Sequence, residues 1–323
     1  MTRSEELRFR AGEASLAGTL ALPPGPDDGR RPWALLVPSW LPRGRDGGWD
    51  RDAHPSWFAA TGPGESPGPL ARLADALAER GVASLRYDPR GCGASDGRWA
   101  ETDLFTRIDD ARDAIGAMRS RRDLDLRRTA IVGHGEGGSI AMSVAIGDPA
   151  IGAVGLIGAA ARSWRTVLRQ GVARRGRTGT DRQHPIVAAL DRSAEELLER
   201  AERREPAIRF DVGGEPVTLR LAAWEQAIHT PALALATMLH RPVVLAHASD
   251  DAWADADESE ILASALADAG NEPLLQQLDD GGHDLSGADE RAIGSFAEAL
   301  VARMEPRELP PVLVAIEQMG SGD

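Results

Sequence analysis

The chain has 323 residues, a formal net charge of −13, a single cysteine (Cys92) and 37 basic residues, all of them arginine. This length suits one α/β core with an insertion better than two independent domains. The acidic charge argues against a nucleic-acid partner, and the single cysteine excludes both an internal disulfide and a cluster of thiolate metal ligands. The absence of lysine excludes a phosphate-binding P-loop. No stretch has the length of a membrane span or of a signal-peptide core, so we expect a cytoplasmic protein without a membrane partner.

The hydrophobic pattern of the first 160 residues predicts a parallel sheet that opens with an antiparallel pair of strands. Residues 7–10 and 15–22 alternate apolar and polar side chains, which is typical of a hairpin. Residues 33–37 are a continuous apolar run, as expected of a strand buried on both faces. Helices and strands then alternate, with helix 70–80, strand 82–87, helix 103–119, strand 129–132, helix 139–146 and strand 153–158. This alternation indicates parallel strands joined by crossover helices.

A long loop at 41–69 interrupts the alternation directly after the strand at 33–37. The loop is rich in glycine, proline and aromatic residues. Loops of this length are usually functional or disordered, and aromatic residues are depleted in disordered segments. We therefore expect the loop to line a pocket, with Trp49 and Trp57 among the residues that contact a substrate.

Residues 161–240 form a second interruption. Their pattern predicts helices near 163–174, 193–204 and 221–239, with a hairpin around Gly213-Gly214. The alternation then resumes with strand 242–247, helix 256–269, strand 273–278 and helix 288–303. We therefore predict a core of residues 1–160 and 241–323, with residues 161–240 as a helical cap over the pocket.

The most informative motif is Gly133-His134-Gly135-Glu136-Gly137, between an apolar strand and a helix start. It has the Gly-x-Ser-x-Gly pattern of a nucleophile elbow, with glycine at the position of the serine. Farther along the chain, the strand at 242–247 is followed by Asp250 and Asp251, and Gly281-Gly282 precedes His283. An elbow, an acid and a histidine in this order is the chain order of the α/β-hydrolases.

A second motif supports this resemblance. Residues 85–97 contain an Asp-x-Arg-Gly-x-Gly-x-Ser turn, and a helix pattern at 73–81 precedes it. With these motifs the chain resembles the esterase and dienelactone-hydrolase-like branch of the α/β-hydrolases over residues 14–160 and 241–303. The resemblance implies an α/β-hydrolase fold, which is a mostly parallel sheet flanked by helices, with an inserted helical cap. The chain departs from the family pattern at Gly135, where the hydroxyl that starts acyl transfer is missing.

The resemblance also assigns the remaining catalytic groups. His283 and Asp251 form a dyad in which the carboxylate orients the imidazole and leaves its other nitrogen free to take a proton. Asp251 is preferred to Asp250 because it takes the acid position of the family's Gly-x-x-Asp, with Ala248 at the glycine. The backbone N–H groups of Trp40 and Glu136 correspond to the oxyanion hole.

Other side chains have weaker assignments. Ser39, at the end of the strand at 33–37, faces the predicted pocket and is the best candidate for a relocated nucleophile. The side chain of Glu136 could act as a base, although a structural role is favoured. Cys92 fits a small structural position in its turn. Neither a metal nor an organic cofactor is needed by any of these groups.

Three functions remain open. A lyase would use all the remaining catalytic groups, because the dyad abstracts a proton and the oxyanion donors stabilise an enolate or a departing carboxylate. This combination resembles the enzymes that expel acetate from O-acetylated tetronate polyketides, and implies a small, apolar, polyketide-like substrate. The alternatives are an ester hydrolase that uses activated water or a relocated nucleophile, and a binding protein without catalytic activity.

Overall fold

The computed structural model describes residues 2–24, 29–52, 54–57, 68–221, 224–229, 231–309 and 313–314. The strands within these ranges are β1 (Arg3–Ala11), β2 (Ala14–Leu22), β3 (Arg31–Val37), β4 (Ala83–Tyr87), β5 (Leu124–His134), β6 (Ile151–Ile157), β7 (Ala207–Val212), β8 (Glu215–Arg220), β9 (Val243–Ala248) and β10 (Leu274–Leu278). The helices are α1 (Pro69–Glu79), α2 (Leu104–Met118), α3 (Gly137–Gly147), α4 (Trp164–Thr178), α5 (Pro185–Glu202), α6 (Trp224–His229), α7 (Leu233–Ala236), α8 (Asp257–Asp268) and α9 (Glu290–Val301). No helix in this part of the chain is long and apolar enough to cross a membrane.

An eight-stranded sheet in the order β1-β2-β4-β3-β5-β6-β9-β10 forms the core. The β1–β2 and β2–β4 pairs are antiparallel, and the strands from β4 to β10 pair in parallel. Strands β6 and β9 are buried along their whole length, because helices cover both faces of a parallel sheet. The predicted α/β-hydrolase fold is confirmed.

Two layers of helices cover the sheet. On one face, α1 and α9 contribute Leu73, Leu77 and Phe296 to a buried cluster. On the opposite face, α2, α3 and α8 contribute residues such as Ile115 and Leu262. The carboxyl ends of the parallel strands are therefore the edge at which loops can build a site.

The segment between β6 and β9 has its own apolar cluster, to which α5 and the β7–β8 hairpin contribute. The predicted hairpin at Gly213-Gly214 is present, and both glycines have positive φ angles. Two helix predictions were inaccurate. Helix α5 starts at Pro185 rather than at 193, and the helix predicted at 221–239 is divided into α6 and α7. Pro231 explains the division, because proline lacks the N–H that would continue a helix.

Candidate active site

Gly135 occupies a sharp turn between β5 and α3, with a φ of +57°. Its N–H donates a hydrogen bond to the Ile157 carbonyl oxygen at 2.8 Å, which ties the turn to the neighbouring strand. At Gly133 a Cβ atom would lie 2.0 Å from the carbonyl oxygen of Gly137, so this position admits no side chain. The backbone therefore has the geometry of the elbow that the sequence predicted, including its close approach of strand and helix.

Ser39 and His283 converge on the place that a side chain at Gly135 would occupy. A Cβ atom built there would lie 2.6 Å from Ser39 Oγ and 2.9 Å from His283 Nε2. Ser39 reaches this point because β3 and β5 pair in parallel with Val37 opposite Gly133, which brings residue 39 beside residue 135. The space of the missing nucleophile is thus partly filled by the hydroxyl of Ser39.

Asp251 orients the imidazole of His283. Its Oδ2 lies 2.9 Å from His283 Nδ1, while its Oδ1 accepts hydrogen bonds from the backbone N–H groups of Trp253 (2.7 Å) and Ala254 (3.0 Å). Asp250 takes no part in this pairing, since its carboxylate accepts a hydrogen bond from the N–H of Gly282. An ionised Asp251 fixes the proton on Nδ1 and leaves Nε2 of His283 free to accept one.

A second imidazole shares the same carboxylate. Nε2 of the buried His247 lies 3.2 Å from Asp251 Oδ2, the oxygen that also contacts His283. Burial alone would raise the pKa of Asp251, but the charge of His283 and hydrogen bonds from His247 and His283 hold that pKa well below its usual range. Asp251 therefore stays ionised at any pH near neutrality. The sequence analysis did not identify His247, although it stands four residues before Asp251.

The two predicted oxyanion donors lie in the wall of the main cavity. Trp40 and Glu136 both line it together with Gly135 and His283. Within the described ranges, neither backbone N–H donates to a carbonyl oxygen. No protein carbonyl group in these ranges therefore competes with a ligand for either amide.

The Glu136 side chain is held by an ion pair with Arg107, and both side chains are largely buried. Burial raises the pKa of Glu136, and the neighbouring Arg107 opposes that rise. The Arg107 guanidinium also lies 3.5 Å from the carbonyl oxygen of Pro38, so the pair links α2 to the segment after β3. This arrangement fits the structural role favoured for Glu136.

The cavity itself is apolar, with a volume of about 190 Å³. Its aromatic wall consists of Trp40, Trp164, Trp224 and Trp253 together with Phe105 at a half-exposed position. Trp224 packs edge-on against Trp40, with ring centroids 5.2 Å apart. The sequence analysis did not identify Trp164, Trp224 and Trp253 as pocket residues, because their positions depend on how the insertion and the loop after β9 pack over the core.

The structure corrects two predicted pocket residues, since neither Trp49 nor Trp57 lines this cavity. The Trp49 ring packs beneath the Arg43 guanidinium, 4.0 Å from its central carbon. Trp57 stacks on His54 at a centroid distance of 4.1 Å, and its indole N–H donates to Glu215. Both tryptophans are used to pack the loop against its surroundings, and residues 53 and 58–67 of that loop lie outside the described ranges.

Metal-type ligands come together at one place within the described ranges, where Asp50, His54 and Cys92 have ligand atoms within 4.8 Å of one another. Burial raises the pKa of the Cys92 thiol, so the thiol does not readily form the thiolate that binds metals. The other two side chains have protein contacts, because Asp50 accepts from the N–H of Gly93 and His54 Nε2 lies 3.0 Å from the carbonyl oxygen of Gly91. This trio does not line the main cavity.

His134 packs against His283, and its burial affects the stability of the fold at acid pH. Its ring packs 4.7 Å from that of His283, and burial, aided by the charges of His283 and Arg43, lowers the pKa of His134 to about 3. Because an unfolded histidine binds a proton at an ordinary pKa of about 6.5, the free energy of unfolding should fall as the pH drops below that value. We expect His134→Gln to remove about 2 kcal/mol of this loss between pH 6.5 and pH 5.

Urea unfolding at several pH values measures this effect. His240→Gln, which removes an imidazole at an exposed position, is the matched control for the substitution. Equal pH dependence in His134→Gln and the wild type would show that His134 is not kept neutral by burial.

Comparison with known proteins agrees with the fold. Residues 56–288 match the family described as serine aminopeptidase, S33. No curated protein sequence shows significant similarity to the chain.

Several solved structures resemble the chain at low sequence identity. Acylaminoacyl peptidase from Pyrococcus horikoshii has a TM-score of 0.62 and 17% identity, and the match covers 98% of this chain but 44% of the peptidase. Est1E from Butyrivibrio proteoclasticus, with ferulic acid bound, has a TM-score of 0.60 and 14% identity over 92% of this chain and 99% of Est1E. DcsB in complex with its substrate analogue has a TM-score of 0.62 and 13% identity over 93% of this chain and 100% of DcsB. Such identities show a shared fold, and the match to the family over most of the sequence shows that the chain belongs to the serine aminopeptidase S33 family of α/β-hydrolases.

Proposed function

We propose that the protein is a lyase that eliminates a carboxylate, in the simplest case acetate, from an acylated polyketide-like or tetronate-like intermediate. One observation carries this proposal. The free Nε2 of His283, oriented by Asp251, faces an elbow position that has no side chain, inside an apolar cavity. The site thus has an oriented base and no nucleophile at the usual position.

The elimination uses the remaining groups in a balanced sequence. Nε2 of His283 takes a proton from a carbon next to a carbonyl group, and the electron pair of that C–H bond forms a C=C bond. The alkyl C–O bond to the acyloxy group then breaks, and the carboxylate leaves with the electron pair. Asp251 stabilises the imidazolium of His283, which gives up its proton to water in a later step.

The amides of Trp40 and Glu136 fit the leaving carboxylate. Trp40 and Glu136 line the cavity together with Gly135, and preorganised N–H donors stabilise negative charge as it develops. A serine at 135 would instead attack the acyl carbon and cleave the other bond of the same ester. Glycine at this position therefore favours elimination over acyl transfer.

A hydrolase is the second candidate, and the position of Ser39 supports it. Ser39 Oγ lies 2.6 Å from the Cβ position of a residue-135 side chain, so a nucleophile could act from residue 39 instead. No hydrogen bond joins the described side chains of Ser39 and His283, which a working nucleophile and base would need. Hydrolysis by water alone is disfavoured, because loss of a triad nucleophile typically costs about 10⁴- to 10⁶-fold in turnover. A binding protein without activity would leave the oriented dyad without a role.

Heavy-oxygen water separates these candidates. With a substrate that bears an acetoxy group β to a carbonyl, we expect the wild type to release acetate without label, because elimination breaks the alkyl–oxygen bond. The alkene product should form in equal amount, as followed by mass spectrometry. Label in the acetate would show hydrolysis and contradict the lyase, and transient acetylation of Ser39 in the intact protein would then identify the nucleophile. Absence of any turnover across such substrates would favour the binding protein.

A further inference from the structure

Most charged side chains in the cavity wall already have partners. Glu136, Arg162 and Arg175 each form an ion pair with a side chain that lies outside the wall. Their charges are therefore balanced by protein partners. The polar recognition of a ligand must come from other groups in the wall.

Three serine hydroxyls remain, on Ser39, Ser139 and Ser143. All three line the cavity, and none forms a hydrogen bond with another group in the described part of the chain. Ser39 is 4% exposed, whereas Ser139 and Ser143 are partly exposed. Buried hydroxyls normally have hydrogen-bond partners, and serines within helices commonly bond to the carbonyl four residues earlier. These unpaired hydroxyls in an otherwise apolar wall indicate a ligand with matching polar atoms.

Two of the hydroxyls lie along one helix and the third lies at the reacting centre. Ser139 and Ser143 are four residues apart on α3, so they lie on the same helix face with a rise of about 6 Å between them. Ser39 lies beside Gly135, which stands in the turn that precedes α3.

The opposite walls are apolar. Helices α4 and α5 contribute aliphatic side chains, namely Val167, Leu168, Leu190 and Leu197. Helix α2 adds Leu104 and Ile108 beside α3. One wall thus suits oxygen atoms and the others suit a hydrocarbon chain.

We propose that Ser39, Ser139 and Ser143 bind the oxygens of a 1,3-dicarbonyl head group, or of its enol, while an alkyl chain packs against α4 and α5. This inference rests on the proposed elimination, which places negative charge on two different oxygen atoms. One is the oxygen of the carbonyl that acidifies the C–H bond, and the other belongs to the leaving carboxylate. The Trp40 and Glu136 amides serve the carboxylate, so the serine hydroxyls supply the donors for the acidifying carbonyl group.

Binding of two unreactive probes tests this site. Undecane-2,4-dione has the dicarbonyl head, and undecan-2-one has the same chain with a single carbonyl. Quenching of tryptophan fluorescence reports binding, because Trp40, Trp164, Trp224 and Trp253 line the cavity. We expect the wild type to bind the dione about tenfold more tightly than the ketone, as one or two additional hydrogen bonds would give.

The double variant Ser139→Ala/Ser143→Ala should lose most of this preference for the dione over the ketone. Ser120→Ala is the matched control, since this exposed serine lies outside the cavity, and it should keep the preference. Circular dichroism verifies that the variants fold. Ser39→Ala provides an independent variant, and it should lower the preference for the dione severalfold.

Equal binding of the two probes by the wild type, or a preference retained by the double variant and by Ser39→Ala, would overturn the site. Neither probe carries a leaving group, so the result does not depend on elimination. The two proposals can therefore fail separately. If the wild type prefers the dione and the variants lose this preference, the hydroxyl site is supported. If the acetate from the heavy-oxygen experiment then carries label, only the lyase proposal fails.

Discussion

Replacing His283 with alanine should reduce carboxylate release by about 10²- to 10⁴-fold, the usual contribution of a positioned general base. The variant should remain folded, because Asp251 keeps its hydrogen bonds from the Trp253 and Ala254 N–H groups and its contact with His247. Asp251→Asn should approach the same loss, since an amide at 251 no longer fixes the tautomer of the imidazole. Acetate release at substrate saturation measures the effect, with circular dichroism as the test of folding.

The control for this experiment is His240→Ala, which removes an exposed histidine outside the cavity wall and should leave turnover unchanged. Full turnover in His283→Ala would mean that another group takes the proton. Glu136 would then be the first residue to test, although its ion pair with Arg107 makes it a poor base.

Restoring a serine at residue 135 should convert the site into an esterase, but only with a second change. A Cβ at Gly135 would lie 2.6 Å from Ser39 Oγ and 3.1 Å from Ser39 Cβ, so a serine at residue 135 does not fit beside the Ser39 side chain without rearrangement. Ser39→Gly removes both contacts. We therefore expect Gly135→Ser/Ser39→Gly to cleave activated esters such as p-nitrophenyl acetate at least tenfold faster than Gly135→Ser, and the wild type to be nearly inert.

Gly135→Ala/Ser39→Gly is the matched control, because it carries the same Cβ atom without the hydroxyl. Both double variants should lose about 1 to 3 kcal/mol of unfolding free energy, since the φ of +57° at residue 135 is strained for any residue with a side chain. Equal ester cleavage by the serine and alanine variants would show that the oxyanion donors or His283 cannot support acyl transfer. That result would weaken the assignment of Trp40 and Glu136 as oxyanion donors.

Sequence motifs identified some residues of the reacting centre but did not place all of them. The glycines at 133 and 137, the acid at 251 and the histidine at 283 could be identified from the sequence, because each lies in a short pattern that follows a strand. The side chain that fills the vacated space could be proposed but not placed. Its position follows from the register of β3 against β5, with Val37 opposite Gly133.

The tryptophans that line the pocket could not be predicted from the sequence. Trp49 and Trp57 were expected in its wall because their loop leaves a strand end near the site. They instead pack against Arg43 and His54, and the wall uses tryptophans from the insertion and from the loop after β9. Composition shows that tryptophans are present, but it does not show which partner each ring will find.

The sequence by itself determined the alternation of strands and helices, and it predicted the glycine turn at residue 135 and the pairing of Asp251 with His283, because periodicity, glycine positions and motif order are local properties of the chain. The tertiary structure decided three further features, which are the Ser39 hydroxyl beside residue 135, the sharing of Asp251 by His283 and His247, and the unpaired serines along α3. Each of these depends on strand register or on packing between segments distant in sequence. Such contacts are selected by the free energy of the whole fold, and no short pattern in the chain specifies them.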